Sequence, residues 1–546
     1  MRQLAFALFV ALGLAPALAP RVDAQPVRRG SPGRPATQAA AGVAARPVRA
    51  DATPEATPEA SVTTAEVTAH LRVLASDELM GRRPGTPGAA AAARYIAEQF
   101  RLAGAAPAPG TDDYYQVVPM ARLTPPTGAT LAFVRAGGGG ADTLRQGADL
   151  IVLSGGPARV YGDAVYVGTG LLAADYGGRD VRGRIVVARV GDGGQASPQA
   201  AMRLGARKRA LADSLGAAAL VELYDAALPW ASVARGMGGP RTETGEAAAP
   251  GLPHAWARDD GGARRMAMES ATGLATGARM AAGLVSGGVE RRGLGSPNVA
   301  AFIRGTDPRL ASEVIALTAH YDHIGTGRDR GAADVSTGGA AADTIFNGAR
   351  DNATGTVALL VAARALAAAP PRRSVLLIAY TAEEMGLIGS RYFAEHPLVP
   401  LARIVGSLNV DTGGISDTSV VTLIGAGRTG ADGAVSAASE AFGLALLPDP
   451  APEQGLFDRS DNVALAAKGI PSPTFSPGFR AFTDPGVATY YHRTADNPDA
   501  NYPFDYLRRF SQAYTRTARL LGDADARMTW APGDRYEAAG RALYGR

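Results

Sequence analysis

The second half of this chain alternates apolar segments with helical patterns, and this alternation limits the fold more than any other feature. From Asn298 onward the largely apolar segments predict strands over 299–304, 314–319, 375–380, 405–410 and 420–424. Helical patterns predict helices over 353–369, 387–395 and 504–521. Strands that are apolar on both faces and alternate with helices are typical of a mostly parallel or mixed sheet with helices on both faces. The sequence therefore predicts an α/β fold.

The N-terminus has the features of an export signal. Arg2 precedes an apolar stretch over 4–18, and Val22-Asp23-Ala24 offers a small-residue cleavage site. A membrane anchor is the alternative, but the stretch is short and is interrupted by Gly13 and Pro16. We expect a signal peptide over 1–24 and export to the periplasm, the cell surface or the medium, with no stable membrane insertion after cleavage. Residues 25–61 are rich in Pro and Ala without hydrophobic periodicity, which predicts a disordered spacer.

The length of 546 residues predicts more than one folded unit, because single hydrophobic cores stop growing at about 250–300 residues. Residues 136–290 change character, with many glycines and short strand candidates. The alternating pattern resumes after this segment. We therefore expect a small β-rich domain over 136–290, inserted into a main domain formed by 62–135 and 291–525. Residues 526–546 are expected to form a C-terminal tail.

Charge and cysteine content exclude several classes of function. Seven arginines and four acidic residues in 1–60 account for most of the net charge of +4, and no basic stripe occurs elsewhere. Nucleic acid is therefore not an expected partner. The chain has no cysteine, which excludes a cysteine nucleophile and thiolate metal ligands.

Histidine and acidic residues follow three of the predicted strands directly. The pairs are His320 with Asp322 and Glu383 with Glu384, and Asp411 follows the third strand. Open α/β sheets place their ligand sites at the carboxyl ends of strands, so we expect these side chains to meet at one edge.

Asp351 begins the helical run at 353, where a carboxylate is usually a cap but can also be a ligand. His492 follows later in the chain. Each residue has an ordinary structural explanation on its own, but together they indicate a two-metal site bridged by Asp351. His and carboxylate ligands without Cys suit Zn²⁺ or another borderline divalent ion. The remaining histidines are expected to be structural: His70, His254, His323 and His396.

Five segments that contain these residues, in order, resemble motifs of the M28 family of co-catalytic zinc peptidases: 319–325, 347–355, 381–386, 408–411 and 491–494. The loop 79–88 is similar to an N-terminal loop of that family. The segment from about 140 to 290 looks like the protease-associated domain that many members carry as an insertion. The resemblance covers nearly all of the chain after the spacer.

The resemblance implies a role for each site residue. Asp351 would bridge two zinc ions, with His320 and Asp411 on one ion and Glu384 and His492 on the other. Glu383 would be the general base that activates a metal-bridging water. Asp322 would accept the other imidazole N–H of His320. A cis peptide bond is expected after Asp351, and Arg350 departs from the family pattern.

The chemistry supports the same function, because two divalent ions and a nearby Glu supply what peptide hydrolysis needs. We expect an exported dinuclear zinc exopeptidase acting on peptides, with an aminopeptidase favoured. The alternatives are a carboxypeptidase or dipeptidase of the same family, a single-zinc enzyme similar to glutaminyl cyclases, and a non-catalytic receptor-like relative. The sequence leaves the side-chain preference and the oligomeric state open.

Overall fold

A computed structural model describes residues 57–111, 113–134, 140–192, 198–225, 229–245, 251–266, 280–327 and 343–545. The predicted signal peptide and most of the predicted spacer lie outside these residues. No helix in the described ranges combines the length and the apolar character needed to cross a membrane.

The first sheet is mixed and holds ten strands. Nine form a continuous order: Ala445–Pro448, Val420–Ile424, Thr474–Pro477, Ile404–Val410, Val314–His320, Ser374–Tyr380, Glu290–Ile303, Tyr115–Thr124 and Arg241–Thr244. The tenth strand, Ala106–Pro107, pairs with Glu290–Ile303. Four neighbouring strands at the centre, from Thr474–Pro477 to Ser374–Tyr380, are parallel. The strands on either side of this parallel centre are antiparallel to it.

Both faces of this sheet are buried, as the apolar strands predict. Along Val314–His320, Ile315 and Leu317 pack into one core, whereas Val314 and Ala316 pack into the core on the opposite face. The main described α-helices are Thr64–Leu74, Pro87–Leu102, Pro198–Ser214, Trp230–Met237, Thr354–Ala368, Ile388–Glu395, Asp432–Glu440, Asn462–Ala466, Pro485–Ala488, Phe504–Asp523 and Glu537–Tyr544. The predicted α/β class is therefore confirmed.

A second sheet of eight strands occupies most of the segment that was expected to be an insertion. Its order is Ala141–Arg145, Thr130–Val134, Met280–Ser286, Ala158–Tyr166, Ile185–Arg189, Ala219–Tyr224, His254–Arg258 and Leu150–Ser154. The boundaries differ from the predicted 136–290. Thr130–Val134 belongs to this sheet because it pairs with Met280–Ser286, and Arg241–Thr244 instead joins the first sheet beside Tyr115–Thr124. A two-stranded ribbon, Gly325–Thr326 with Ile345–Phe346, completes the strands.

Both ends of the main domain extend beyond the predicted limits. The end of the expected spacer forms a 3₁₀ turn, Pro58–Ser61, whose buried Glu59 carboxylate binds the Arg519 guanidinium. The expected tail packs on the domain through Met528 and Trp530, which are both buried. The Trp530 indole donates to the Gly469 carbonyl at 2.9 Å. Burial of the apolar side chains in these segments stabilises their packing on the domain. Amino-acid composition alone does not reveal this packing.

Candidate metal centre

Asp351 lies in a buried turn that leads into the helix Thr354–Ala368. The turn spans Ala349–Ala353, and the peptide bond after Asp351 is cis, as the resemblance implies. Asn352 fixes the turn, because its amide donates to the Val410 carbonyl at 2.8 Å and its Oδ1 accepts an N–H from the helix start at 2.9 Å. The Asp351 carboxylate itself does not cap the helix.

The parallel strands bring the other candidates to the same edge. His320 is the last residue of Val314–His320, and Asp411 follows Ile404–Val410 directly. Glu383 and Glu384 follow Ser374–Tyr380, which lies on the other side of Val314–His320. Because these three strands are parallel neighbours, their carboxyl ends meet, as open α/β sheets require for a ligand site.

One group of potential ligands consists of His320, Asp351 and Asp411. His320 Nε2 lies 3.2 Å from Asp411 Oδ1 and 3.5 Å from Asp351 Oδ1. Two ligands of a tetrahedral zinc ion, each about 2.0–2.2 Å from the metal, are about 3.3–3.6 Å apart. The spacing of these atoms therefore fits one divalent ion.

A second group lies on the other oxygen of Asp351 and contains His323, Glu384 and His492 as well. His492 Nε2 lies 3.2 Å from Asp351 Oδ2 and 3.1 Å from Glu384 Oε2. Asp351 thus directs one carboxylate oxygen towards each group. This arrangement fits a carboxylate shared by two ions.

His323, which was expected to be structural, lies inside the second group. It is fully buried, and its Nδ1 is 2.7 Å from Glu384 Oε1. Its ring packs against Gly348, where a Cβ would lie 2.6 Å from the ring atoms, so glycine is required there. The signal in the sequence was the spacing of two histidines, three residues apart, after one strand. The path of the loop that returns His323 to the site is set by tertiary structure.

The geometry around Asp322 differs from the role that the resemblance implies. His320 Nδ1 donates to the backbone carbonyl of Asp322 at 3.2 Å, whereas the Asp322 carboxylate is 3.8 Å from that nitrogen. The carbonyl still fixes the tautomer and leaves Nε2 free for a metal. The carboxylate instead accepts the backbone N–H of Glu383 at 3.1 Å, and so holds the adjacent strand end.

The electric field of the site favours cations. Burial would lower the pKa of His492, but Glu384 and Asp351 raise it to about 10. Burial also opposes protonation of His320, yet Asp411 and Glu383 raise its pKa well above the usual value. Both imidazoles are pushed towards the charged form because the carboxylates around them are in excess. Divalent ions bound to the same atoms would balance that charge.

Glu383 and Glu384 are adjacent but lie in different surroundings. Burial raises the pKa of Glu383 well above its usual range, and Asp411 and Glu384 add to the effect against the opposing pull of His320. Burial would raise the pKa of Glu384 too, but His492 and His323 hold it well below that range. One carboxylate is therefore suited to hold a proton, and the other to stay ionised as a ligand.

Asp496 is a site residue that sequence reasoning missed. Its buried carboxylate accepts the backbone N–H groups of Arg350 and Asp351 at 3.0 and 3.1 Å. It also pairs with the Arg350 guanidinium at 3.1 Å, which lies over the Tyr490 ring at 3.5 Å. The charge of Arg350 is thus balanced locally, and Asp496 positions Asp351. No motif in the sequence marks it.

Arg82 ties the N-terminal loop to the same turn. It is fully buried and donates to the carbonyls of Tyr321, Asn347 and Gly348 at 2.7, 2.6 and 3.0 Å. A single guanidinium therefore bridges the segments that carry His320 and Asp351. The resemblance included this loop but assigned Arg82 no role.

An open cleft leads to the two groups of ligands. Asp351, Glu383, Glu384, Asp411 and His492 all line it. Its outer wall is apolar and aromatic, with these side chains: Ile424, Leu456, Phe479, Phe482 and Tyr491. This wall also contains one charged side chain, Arg459, which belongs to neither group of potential ligands. The cleft can therefore hold an extended, partly apolar molecule against the metal-binding edge.

Comparison with known proteins places this site in a class. Residues 298–516 match the profile of peptidase family M28. The chain is 31% identical over 84 residues to aminopeptidase YwaD of Bacillus subtilis, which covers 15% of this chain and 14% of that protein. It is 33% identical over 119 residues to a probable zinc metalloprotease of Leptosphaeria maculans, which covers 22% of this chain and 25% of that protein. The chain thus spans a quarter or less of the length of these two relatives.

A solved structure shows the same fold. The aminopeptidase from Aneurinibacillus sp. strain AM-1 superposes with a TM-score of 0.50 at 20% identity, over 87% of this chain and 98% of that chain. The fold and the paired ligand groups define a zinc metallopeptidase domain. The matched region, which includes every predicted ligand, belongs to peptidase family M28, and the resemblance inferred from the five motifs is confirmed.

Proposed function

We propose that the chain is an exported dinuclear zinc exopeptidase that removes N-terminal residues from peptides. One observation supports this most directly: the two oxygens of the buried Asp351 carboxylate face two separate groups of ligands. A single-metal enzyme does not need a shared carboxylate with complete ligand groups on both sides.

The donor sets fit two zinc ions. His320, Asp351 and Asp411 would hold one ion, and Asp351, Glu384 and His492 the other, with His323 beside the second. When bound, the two ions supply Lewis-acid polarisation of a peptide carbonyl and activation of water. Asp496 keeps Asp351 in place between the two positions through its backbone hydrogen bonds.

Glu383 carries the proton in this proposal. Its carboxylate takes a proton from the attacking water and returns it to the leaving amine nitrogen. Burial, which raises its pKa, makes it a stronger base than an exposed carboxylate. The apolar wall of the cleft excludes water and orients the substrate side chain.

Aminopeptidase activity is favoured over carboxypeptidase activity because two of the similar proteins, from Bacillus subtilis and Aneurinibacillus, are aminopeptidases. Export rests on the N-terminal segment, which has the order of features of a cleaved signal.

Zinc content and substrate choice test the proposal together. Inductively coupled plasma mass spectrometry of the purified protein should show two zinc ions per chain. It should cleave dipeptides with a free amino terminus and leave N-acetylated ones intact. One zinc ion with cyclisation of N-terminal glutamine would favour the cyclase-like alternative, and no zinc with no turnover would favour a receptor. Cleavage that requires a free carboxyl terminus and tolerates acetylation would make it a carboxypeptidase.

A further inference from the structure

Arg459 lies on the cleft wall beside an aromatic ring. Its guanidinium lies 5.6 Å from the centre of the Phe482 ring. Phe482 meets Tyr491 edge to face at 6.0 Å, and Tyr491 stacks on His492 at 4.0 Å. A row of rings therefore joins Arg459 to a predicted zinc ligand across one wall of the cleft.

Within the described part of the chain, the Arg459 guanidinium has no carboxylate partner. The nearest acidic residue in sequence, Asp458, is paired with Arg535. On either side of Phe482 in the sequence, Arg480 is paired with Asp417 at 2.6 Å, and Asp484 accepts hydrogen bonds from Ser416 and from the backbone. Asp458, Asp417 and Asp484 are thus already in use, and Asp461, two residues from Arg459, is buried and forms no ion pair with it among the described residues.

Arg428 shows what a structural arginine looks like in the same region. It also stacks on an aromatic ring, 3.9 Å from the centre of Phe457. Unlike Arg459, it is paired with both oxygens of Asp534, at 2.7 and 3.3 Å. The aromatic contact alone therefore does not account for Arg459, which forms no ion pair with an acid of the described chain and lines the cleft.

A stacked guanidinium keeps its in-plane N–H donors available and matches the two oxygens of a carboxylate. The apolar residues Ile424, Leu456 and Phe479 line the same cleft and reduce competition from water there. We propose that Arg459 binds a carboxylate of the peptide substrate and gives the enzyme a preference for peptides that carry one near the scissile bond. This inference rests on the proposed peptidase function.

Three substrate pairs distinguish the possible sources of the carboxylate. Glu- and Gln-p-nitroanilide report an acidic first residue, and Leu-Glu-amide with Leu-Gln-amide reports an acidic second residue. Leu-Gly with Leu-Gly-amide reports the free carboxyl terminus of a short peptide. Wild-type protein should prefer the carboxylate member in at least one pair, and Arg459→Gln should reduce that kcat/KM ratio by about 10- to 100-fold, as expected for a charge-assisted pair of hydrogen bonds.

Two further variants separate binding from packing. Arg459→Lys keeps the charge but not the two-donor geometry, so it should retain part of the preference. Arg480→Gln removes an arginine of the next segment that is already paired with Asp417, and should leave the ratio unchanged. If Arg480→Gln lowers the kcat/KM ratio as much as Arg459→Gln does, the carboxylate preference comes from general electrostatic attraction and not from Arg459. A melting temperature for each variant shows that the protein is folded.

The role of Arg459 and the peptidase function can be contradicted separately. If the wild type cleaves peptides but shows no carboxylate preference in any pair, or if Arg459→Gln keeps it, Arg459 only packs on Phe482. If the wild type cleaves none of the peptides, the proposed function fails. Calorimetric binding of Leu-Gly and Leu-Gly-amide to the zinc-loaded wild type and Arg459→Gln proteins then decides the Arg459 assignment, because it does not depend on turnover.

Discussion

The first and second sheets each bury a cluster of histidine and carboxylate groups, and the two clusters differ in how their charge is balanced. In the second sheet the buried Glu222 carboxylate binds Lys208 Nζ at 2.6 Å and accepts hydrogen bonds from His254 at 2.7 Å and Trp256 at 3.1 Å. At the edge of the first sheet, no Lys or Arg side chain of the described residues pairs with Asp351, Glu384 or Asp411.

This difference separates a structural cluster from a metal site. Burial would raise the pKa of Glu222, but His254 and Lys208 lower it below its usual value, and the chain supplies the balancing cation itself. At the first sheet the carboxylates raise the pKa of both histidines against the opposing effect of burial, because no Lys or Arg side chain of the described residues pairs directly with Asp351, Glu384 or Asp411. Residue types alone do not distinguish the two clusters, whereas the balance of charge does.

The largest expected effect comes from Asp351→Ala, because this residue serves both groups of ligands. Zinc content should fall from two ions to less than one per chain, and kcat/KM should fall by more than about 10⁴-fold, beyond the usual contribution of one general base. The measurement is zinc per chain beside peptide hydrolysis. A variant that keeps two ions would show that Asp351 does not bridge them.

Glu383→Gln and Glu384→Gln should separate chemistry from metal binding. Glu383→Gln keeps the shape of the side chain but removes the proton acceptor, so it should retain two zinc ions while kcat falls by about 10²–10⁴-fold. Glu384→Gln should lose zinc first, with activity partly restored by added Zn²⁺. Zinc titration and kcat are measured for both variants. The assignment is reversed if Glu383→Gln empties the site while Glu384→Gln stays loaded.

Lys208→Met should destabilise the second sheet without changing the zinc content. It leaves the buried Glu222 without its ammonium partner, which should lower the free energy of unfolding by about 3–5 kcal/mol. Urea denaturation of zinc-loaded protein measures the loss. Lys468→Met is the matched control, because its pair with the exposed Glu395 at 2.7 Å lies at the surface and should contribute far less. Loss of zinc in Lys208→Met would show that the two clusters are coupled.

The smallest expected effect is the pH dependence of the second-sheet cluster. The folded-state pKa of Glu222 is below its unfolded value of 4.5. Its contribution to stability is therefore fully present above about pH 4.5 and is lost as the pH falls through the folded pKa. Below pH 4.5, the difference in unfolding free energy between wild type and Glu222→Gln should shrink. Comparing metal-chelated samples of both proteins removes zinc release as a cause, and a difference that stays constant down to pH 3 would contradict the assignment.

Much of the first sheet could be predicted because its strands are apolar on both faces. The predicted segment 420–424 is the observed strand Val420–Ile424, and 375–380 differs from Ser374–Tyr380 by one residue. The sequence did not indicate the order of the strands or that Glu290–Ile303 runs antiparallel to Ser374–Tyr380. Strand order depends on pairing between distant segments, which leaves no local periodicity.

The amino-acid sequence was enough to predict the α/β class, because the apolar pattern of each strand is a local property, and its five motifs were enough to indicate the family and most of the candidate ligands. Which of these groups meet depends on the tertiary structure. It brought His323 to Glu384, placed Asp496 under the Asp351 turn and left Arg459 in the cleft without a partner among the described residues. These contacts join residues from separate loops, and a loop's path is set by the packing of the elements around it rather than by its own sequence.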